Sequence, residues 1–235
     1  MSLRSWDRLP ADFQIPEIRP YYDAVAAKPA ALLFKRLFDL LVSSVAIVLL
    51  SPLLLLLAVA IKLDSKGPVF FRQARVTQYG RPFRIFKFRS MVADAESRGA
   101  AVTVSRDPRV TRVGAFLRKT KLDEIPQLFN VFSGDMSFVG TRPEVPRYVS
   151  AYLPEWRATL LLPAGITSLA SIFYKDENSL IDAADDPDRV YLDRILPDKM
   201  KWNLRGLLRF GFWNDIALVF MTLLAVCGKN FKESP

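Results

Sequence analysis

LLVSSVAIVLLSPLLLLLAVAI, residues Leu40 to Ile61, carries no charge and is interrupted only by Ser43, Ser44 and the pair Ser51-Pro52. As a straight helix the run would be about 33 Å long at ~1.5 Å per residue, which matches a hydrocarbon core of ~30 Å. Two features separate it from a plain transmembrane helix. Lys35 and Arg36 precede it and Lys62 and Lys66 follow it, so both ends carry the basic residues that favour the cytoplasmic side. Pro52 removes a backbone donor and crowds the carbonyl of Val48, which bends a helix. The run reads either as a proline-kinked helix that spans, or as two half-length arms that enter and leave by one face. A secretory signal peptide fits poorly, because about 35 residues precede the run and no small-residue cleavage site follows it.

Outward from this run, the charge is uneven. The chain of 235 residues has a formal net charge of +9, and residues 62–121 alone contribute +11. The basic excess thus lies just after the apolar run, where it can meet anionic lipid headgroups or a phosphorylated substrate. Nucleic acid is the competing partner for such a patch. The single cysteine, Cys227, excludes a disulfide framework within this chain and suits a reducing compartment. The absence of histidine excludes Ser-His and Cys-His catalysis and histidine-ligated zinc. Chemistry must rest on carboxylates, Lys, Arg or an oxygen-ligated metal.

Residues 1–34 mix proline, charge and aromatics without a sustained period and read as a peripheral arm. Val69-Phe70-Phe71 and Phe83 to Phe88 predict short strands around a turn at Tyr79-Gly80, the second with one basic face. Residues 92–108 read as a polar loop. Val110, Val113, Phe116 and Leu117 recur at helical spacing. A further helix is expected from near Asp123 to Gly134, then a short strand Met136 to Val139 closed by Gly140. Residues 176–198 are acid-rich and turn-rich, as in a surface excursion. Ile216 to Gly228 is apolar but too short to span; it is either a core helix or one lying in the membrane interface.

Two constellations could carry chemistry. In Lys121-Leu122-Asp123-Glu124-Ile125-Pro126-Gln127-Leu128, Asp123 reads as a helix N-cap, with Glu124 favourable near the positive end of the dipole. The same carboxylate beside a phosphate-attracting helix start could instead act as a nucleophile toward phosphorus. Its neighbour could hold Mg²⁺, a hard cation that takes carboxylate and phosphate oxygens together. Arg118 would face the phosphoryl oxygens. In Gly134-Asp135-Met136-Ser137-Phe138-Val139-Gly140-Thr141-Arg142-Pro143, the glycines permit tight turns and Arg142 sits on an extended backbone before proline. Lys87 and Arg89, in Phe86-Lys87-Phe88-Arg89-Ser90-Met91, are either a solvated strand face or further phosphate contacts.

The order of these motifs, from Lys35-Arg36 through the proline-broken apolar run to Phe86–Met91, Leu122–Asn130 and Gly134–Pro143, resembles the bacterial sugar transferases known as monotopic polyprenyl-phosphate phosphoglycosyl transferases. The resemblance is close over about residues 33–172 and looser to Asp215. It implies transfer of a phospho-sugar from a UDP-sugar to polyprenyl (undecaprenyl) phosphate, with release of UMP, at the start of membrane glycoconjugate assembly. It further implies Asp123 as the covalent nucleophile, Glu124 as the Mg²⁺ residue, and Lys87, Arg118 and Arg142 as diphosphate contacts. Asp215 matches a late family carboxylate. Ser51-Pro52 matches the break of a re-entrant helix-break-helix, so the resemblance favours re-entry over spanning. One departure stands at Leu162 to Ser171, where many members read Arg-Pro-Gly-Ile-Thr-Gly; the later basic contact falls on Lys175.

The expected fold is mixed α/β and helix-rich. An arm (1–34) and a re-entrant membrane helix (35–66) precede a small catalytic domain (67–235) with interfacial amphipathic helices. It would rest on the cytoplasmic face of the bacterial inner membrane, in contact with membrane lipid. Two other functions compete. A catalytically silent membrane scaffold would be expected to have lost Asp123, Glu124 or Arg142, and none is lost. A nucleic-acid module would use Phe83, Phe86 and Phe88, interleaved with Arg84, Lys87 and Arg89, as stacking platforms. The transferase is preferred, with no nucleic-acid partner.

Overall fold

The computed structural model describes residues 3–95, 107–173 and 186–226, with Gly228 and Phe231. Two short 3₁₀ turns, Trp6–Arg8 and Ala11–Phe13, lead into helix α1 (Arg19–Ala26). This segment is not peripheral. Phe13, Ile18 and Val25 are fully buried and share the largest core cluster with Leu161, Ile195, Leu196 and Met200. Phe13 is placed by a 3₁₀ turn, which leaves no period to read, whereas Ile18, Tyr21, Tyr22 and Val25 are buried at helical spacing along α1 and its N-cap.

Helix α2 (Pro29–Asp64) takes in the whole apolar run and continues through Pro52 as one element. The sequence suggests a break there, but the structure keeps the backbone helical across it. The carbonyl of Val48, deprived of its usual donor by Pro52, accepts a hydrogen bond from Ser51 Oγ at 2.8 Å. Among the described residues α2 is the one helix long and apolar enough to cross a membrane. Its buried positions fall in two groups. Leu32, Lys35, Asp39 and Ser43 form one stripe, and Leu57 and Ile61 a second, while Leu41, Val48, Leu49, Leu55 and Leu56 are exposed.

Strands β1 (Phe70–Val76) and β2 (Pro82–Phe88) pair antiparallel, with Phe71 opposite Lys87 and Arg75 opposite Phe83. Strand parity corrects the expectation of one basic face on β2. Arg84 points with Phe86 and Phe88, whereas Lys87 points with Phe83 and Ile85. The sequence alternation slips at Ile85-Phe86, and the two cations fall on opposite sides. Phe88 and Leu117 then pack against Leu57 and Ile61 of α2. Phe83 and Ile85 pack instead with Val131 and Met136.

Helix α3 (Arg112–Thr120), a 3₁₀ turn Leu122–Glu124 and helix α4 (Gln127–Ser133) follow, then β3 (Met136–Val139), helix α5 (Pro146–Val149) and β4 (Ala164–Thr167). Strands β3 and β4 run parallel. A side chain on Gly165 would lie 2.1 Å from the backbone nitrogen of Gly140, so the close approach of the two segments requires glycine there. Helix α6 (Leu169–Phe173), helix α7 (Pro187–Val190), a π-helical turn Tyr191–Ile195 and helix α8 (Leu196–Leu208) continue the chain. The described part of the expected surface excursion is therefore helical, and Tyr191, Ile195 and Leu196 are buried core. Helix α9 (Phe212–Val226) is tied to β4 by Thr222 Oγ1 and Thr167 Oγ1, 2.6 Å apart, yet leaves Trp213, Phe220 and Leu223 exposed. The fold is mixed α/β and helix-rich, as expected.

The N-terminal segment yields a direct test. Ile18→Ala should destabilise the folded protein by about 2–5 kcal/mol, the usual cost of emptying a packed aliphatic site. Denaturant unfolding in detergent micelles measures this. A change near zero would show the segment to be a detachable arm after all.

Candidate active site

The centre is built where three elements converge. Helix α3 ends with Lys121 in the left-handed conformation, φ 59°, which turns the chain sharply into the 3₁₀ turn that carries Asp123 and Glu124. Helix α4 begins only at Gln127, with Pro126 at its N-cap position and no side-chain cap. The N-cap role considered for Asp123 is therefore not the one it plays. Lys87 reaches Glu124 from β2, and Arg142 reaches it from the segment after β3.

Glu124 is the hub. Lys87 Nζ donates to its Oε1 at 2.8 Å. Arg142 Nη2 donates to the same oxygen at 2.5 Å, and Nη1 to Oε2 at 3.3 Å. This fork-on-carboxylate geometry is the stronger kind of charged hydrogen bond. Burial alone would raise the Glu124 carboxyl, but Arg142 and Lys87 outweigh it and hold the group well below the usual carboxylate range. Lys87 is itself lowered by burial, against the pull of Glu124.

Asp123 is the opposite case. Among the described residues its carboxylate makes no hydrogen bond. Burial and the neighbouring charge of Glu124 push it up, while Lys87, Lys121 and Arg118 draw it down. Arg118 is held at this edge by Ser90, whose Oγ accepts from Arg118 Nε at 2.8 Å. Gly114 makes that approach possible, since a side chain there would lie 2.0 Å from the Ser90 carbonyl oxygen. The site thus presents an unpaired carboxylate, a paired one, and three cations drawn from β2, α3 and the loop after β3.

Other expected residues lie elsewhere. Asp215 pairs with Lys35, Oδ2 to Nζ 2.6 Å, and Lys35 also donates to the Val139 carbonyl at 2.7 Å. Lys35 is 3 % exposed. Its place before the apolar run suggests a flanking charge that favours the cytoplasmic side, yet it docks α2 onto the end of β3. Arg36 likewise donates to the Val131 and Phe132 carbonyls in the last turn of α4. Lys175 lies outside the described residues. Phe83 and Phe88 are buried and offer no face for base stacking. The sequence reading passed over Arg75 on β1, although its parity places it on the Lys87 side of the hairpin.

For a metal, the donor chemistry is restrictive. No group of three or more acidic, His or Cys side chains is gathered among the described residues. Both Glu124 oxygens already face cations. The Asp123–Glu124 oxygens fit a hard cation only as part of a shell completed by phosphate oxygens and water, which is how Mg²⁺ commonly binds.

The two carboxylates predict opposite stability effects. The folded pKa of Asp123 lies above its ordinary value of 3.8, so its ionised form costs stability at neutral pH. Asp123→Asn should raise the unfolding temperature at pH 7. That gain should shrink as pH falls through the folded pKa of Asp123. The folded pKa of Glu124 is depressed, so its contribution is present above the ordinary Glu value and is lost as pH falls through the folded one. Glu124→Gln should therefore destabilise the protein at pH 7, by about 1–3 kcal/mol, the cost of leaving charged donors short of a partner. Thermal unfolding across pH reads both, and a loss of stability in the Asn variant would overturn the first.

Comparison with known proteins matches this arrangement to others. The family model for bacterial sugar transferases matches residues 30–229. A UDP-N-acetylgalactosamine-undecaprenyl-phosphate N-acetylgalactosaminephosphotransferase of Aeromonas hydrophila is 39 % identical over 201 residues, covering 84 % of this chain and 44 % of its own length. A UDP-glucose:undecaprenyl-phosphate glucose-1-phosphate transferase of Klebsiella pneumoniae is 36 % identical over 196 residues, covering 82 % and 40 %. An undecaprenyl-phosphate glucose phosphotransferase of Komagataeibacter xylinus is 41 % identical over 199 residues, covering 82 % and 35 %. The chain spans about two fifths of the length of these relatives. With its carboxylate pair, its basic partners and its apolar helix all inside the matched segment, the chain belongs to the bacterial sugar transferase family.

Proposed function

We propose that this protein transfers a sugar 1-phosphate from a UDP-sugar to undecaprenyl phosphate through a covalent intermediate on Asp123. The observation that carries the reading is the unequal carboxylate pair. Glu124 is committed to Lys87 and Arg142, which leaves the adjacent Asp123 oxygen free to attack. An Asp123 oxygen would bond to the phosphorus that bears the sugar, the bond to the UMP oxygen would break, and UMP would leave. An oxygen of the lipid phosphate would then attack the same phosphorus. Its bond to Asp123 would break, restoring the carboxylate and giving a lipid diphospho-sugar. Lys87, Arg118 and Arg142 would offset the charge on the phosphoryl oxygens throughout. Glu124, with the diphosphate, would hold Mg²⁺, which when bound supplies further neutralisation of that charge. The relatives named above act on different sugars, so the sugar is left to experiment.

The same reading places the site at the membrane surface. The first buried stripe of α2 reaches β3 and α4 through Lys35, Arg36 and Asp39. The second packs on Phe88 and Leu117. Strand β2, α4 and β3 are themselves joined in one cluster. Both buried stripes of the helix therefore contact one domain, while Val48, Leu49, Leu55 and Leu56 between them are exposed. This supports re-entry at Ser51-Pro52 from the cytoplasmic leaflet rather than a crossing. The exposed Trp213, Phe220 and Leu223 of α9 would lie in the interface, as amphipathic anchors do. A lipid phosphate held at headgroup level and a soluble nucleotide can meet only in such a seat.

Asp123→Asn should abolish UMP release when UDP-sugars are screened with undecaprenyl phosphate and Mg²⁺, since an amide forms no acyl-phosphate. Enzyme mixed with the active UDP-sugar alone should gain a phospho-sugar mass on Asp123. EDTA should stop turnover. Substantial turnover in the Asn variant would refute the covalent role, and full activity without metal would remove Mg²⁺.

Topology is tested separately, by cysteine placed at Ser5 in a Cys227→Ser background. An impermeant maleimide applied to intact spheroplasts should fail to label it. Replacing Ser51 and Pro52 with Ala and Leu should make part of the population accessible. Strong labelling before that replacement would show that α2 spans.

A further inference from the structure

Arg75 lies behind the active site and is used by none of the steps above. Its Nη1 donates to the Pro143 carbonyl at 3.1 Å, and its Nη2 to Gln73 Oε1 at 2.6 Å. Its Nε is buried, with no partner among the described residues. Pro143 stands between Arg142, which faces Glu124, and Glu144, which faces the other way. The neighbouring β1 residue, Val76, donates its backbone N–H to the Glu144 carbonyl at 3.0 Å. The Glu144 carboxylate accepts from Tyr191 Oη at 2.5 Å and lies 3.7 Å from Lys199 Nζ, which in turn donates to Tyr191 Oη at 3.1 Å. Glu144, Tyr191 and Lys199 are all buried, and the Tyr191 ring stacks on Tyr148 with centroids 4.7 Å apart.

We propose, resting on the transferase reading, that Arg75 is a positioning residue for Arg142. It clamps the Arg142–Pro143–Glu144 backbone between the Glu124 hub and the buried Glu144–Tyr191–Lys199 cluster. The physical case has three parts. A residue before proline has little backbone freedom, so fixing the Pro143 carbonyl also fixes the direction in which Arg142 leaves the chain. Spanning two acceptors with one planar group requires the guanidinium fork, which lysine lacks. Arg75 also feels the charges of Glu144, Arg142 and Glu124 together, and a cation set behind Arg142 biases that side chain toward Glu124 and an incoming phosphate. By this route the π turn and α8 are coupled to the catalytic cations, although they carry no catalytic residue.

The test uses the full chain in detergent or nanodiscs, with Arg75→Gln, Arg75→Lys and Arg142→Lys made singly and Arg75→Gln combined with Arg142→Lys. The rate at which phenylglyoxal modifies Arg142, followed by peptide mass spectrometry, reports directly how firmly that side chain is held. It should rise several-fold in Arg75→Gln and less in Arg75→Lys. In UMP release, Arg75→Gln should lower kcat/KM about tenfold, mainly through KM for the UDP-sugar, the scale of one charge-assisted hydrogen bond. On the Arg142→Lys background the same change should cost little more, since residues acting through one another are not additive. An unchanged Arg142 modification rate, or an equal fold-loss in both backgrounds, would overturn the proposal. If the unmodified protein released UMP from no UDP-sugar, the transferase reading would fall, and the modification rate would still decide whether Arg75 positions Arg142.

Discussion

A carboxylate shared by two cations organises this molecule. Glu124 draws Lys87 from β2 and Arg142 from the segment after β3 onto one partly buried group. The hairpin, the α3–α4 turn and the β3–β4 pair must each be in register for the three to meet. Removing any one partner would leave charge without compensation in a poorly solvated place, which is costlier than the pair is worth. The cluster therefore acts less as a source of stability than as a statement of which relative placement of these elements is permitted. It also separates two adjacent carboxylates that would otherwise be equivalent. One is saturated and strongly acidic, while its neighbour is left unpaired and pushed up. Environments that drive two titratable groups apart are a recurring way of assigning different chemical roles.

Docking of α2 follows similar logic. Lys35, buried between Asp215 and the Val139 carbonyl, and Asp39, accepting from Ser137 Oγ and the Phe138 N–H at 3.1 Å each, are buried charged positions on a largely apolar helix. Their hydrogen bonds go to β3 and α9, so the membrane element is keyed to the strand that leads to Arg142. An apolar stripe alone could slide by a turn along its partner. A buried ion pair with fixed acceptors cannot, because each misaligned register strands a charge.

The sequence marked the candidate site more readily than the packing. Asp123, Glu124, Lys87 and Arg142 were legible because their motifs are short and contiguous, and the structure brings the last three into direct contact. Strands β1, β2 and β3 and helices α3 and α4 were legible from alternation and from Gly134. The burial of Phe13 was not, since its 3₁₀ turn leaves no period to read, and the helical spacing of Ile18, Tyr21, Tyr22 and Val25 runs for only about two turns. Nor was the burial of Tyr191 and Ile195, whose π turn departs from the 3.6-residue spacing. Lys35 misled for a different reason. A lysine flanking an apolar run is usually a headgroup contact, and its partner Asp215 lies 180 residues away in sequence. Arg75 escaped notice because only strand pairing, not proximity along the chain, places it on the same face of the hairpin as Lys87.

These points converge on how a small domain can work at a membrane surface. On the proposed reading, the cations that would hold a diphosphate would, if unpaired, bind any anionic headgroup in reach. Here Lys87 and Arg142 are already engaged by Glu124, so an anion must displace or share an internal carboxylate before it can use them. A single lipid phosphate offers little more charge than the carboxylate it would replace, whereas a diphosphate offers more charge and more acceptor oxygens. An internal competitor of this kind discriminates between ligands by their charge density. That discrimination would matter at the proposed seat among lipid headgroups.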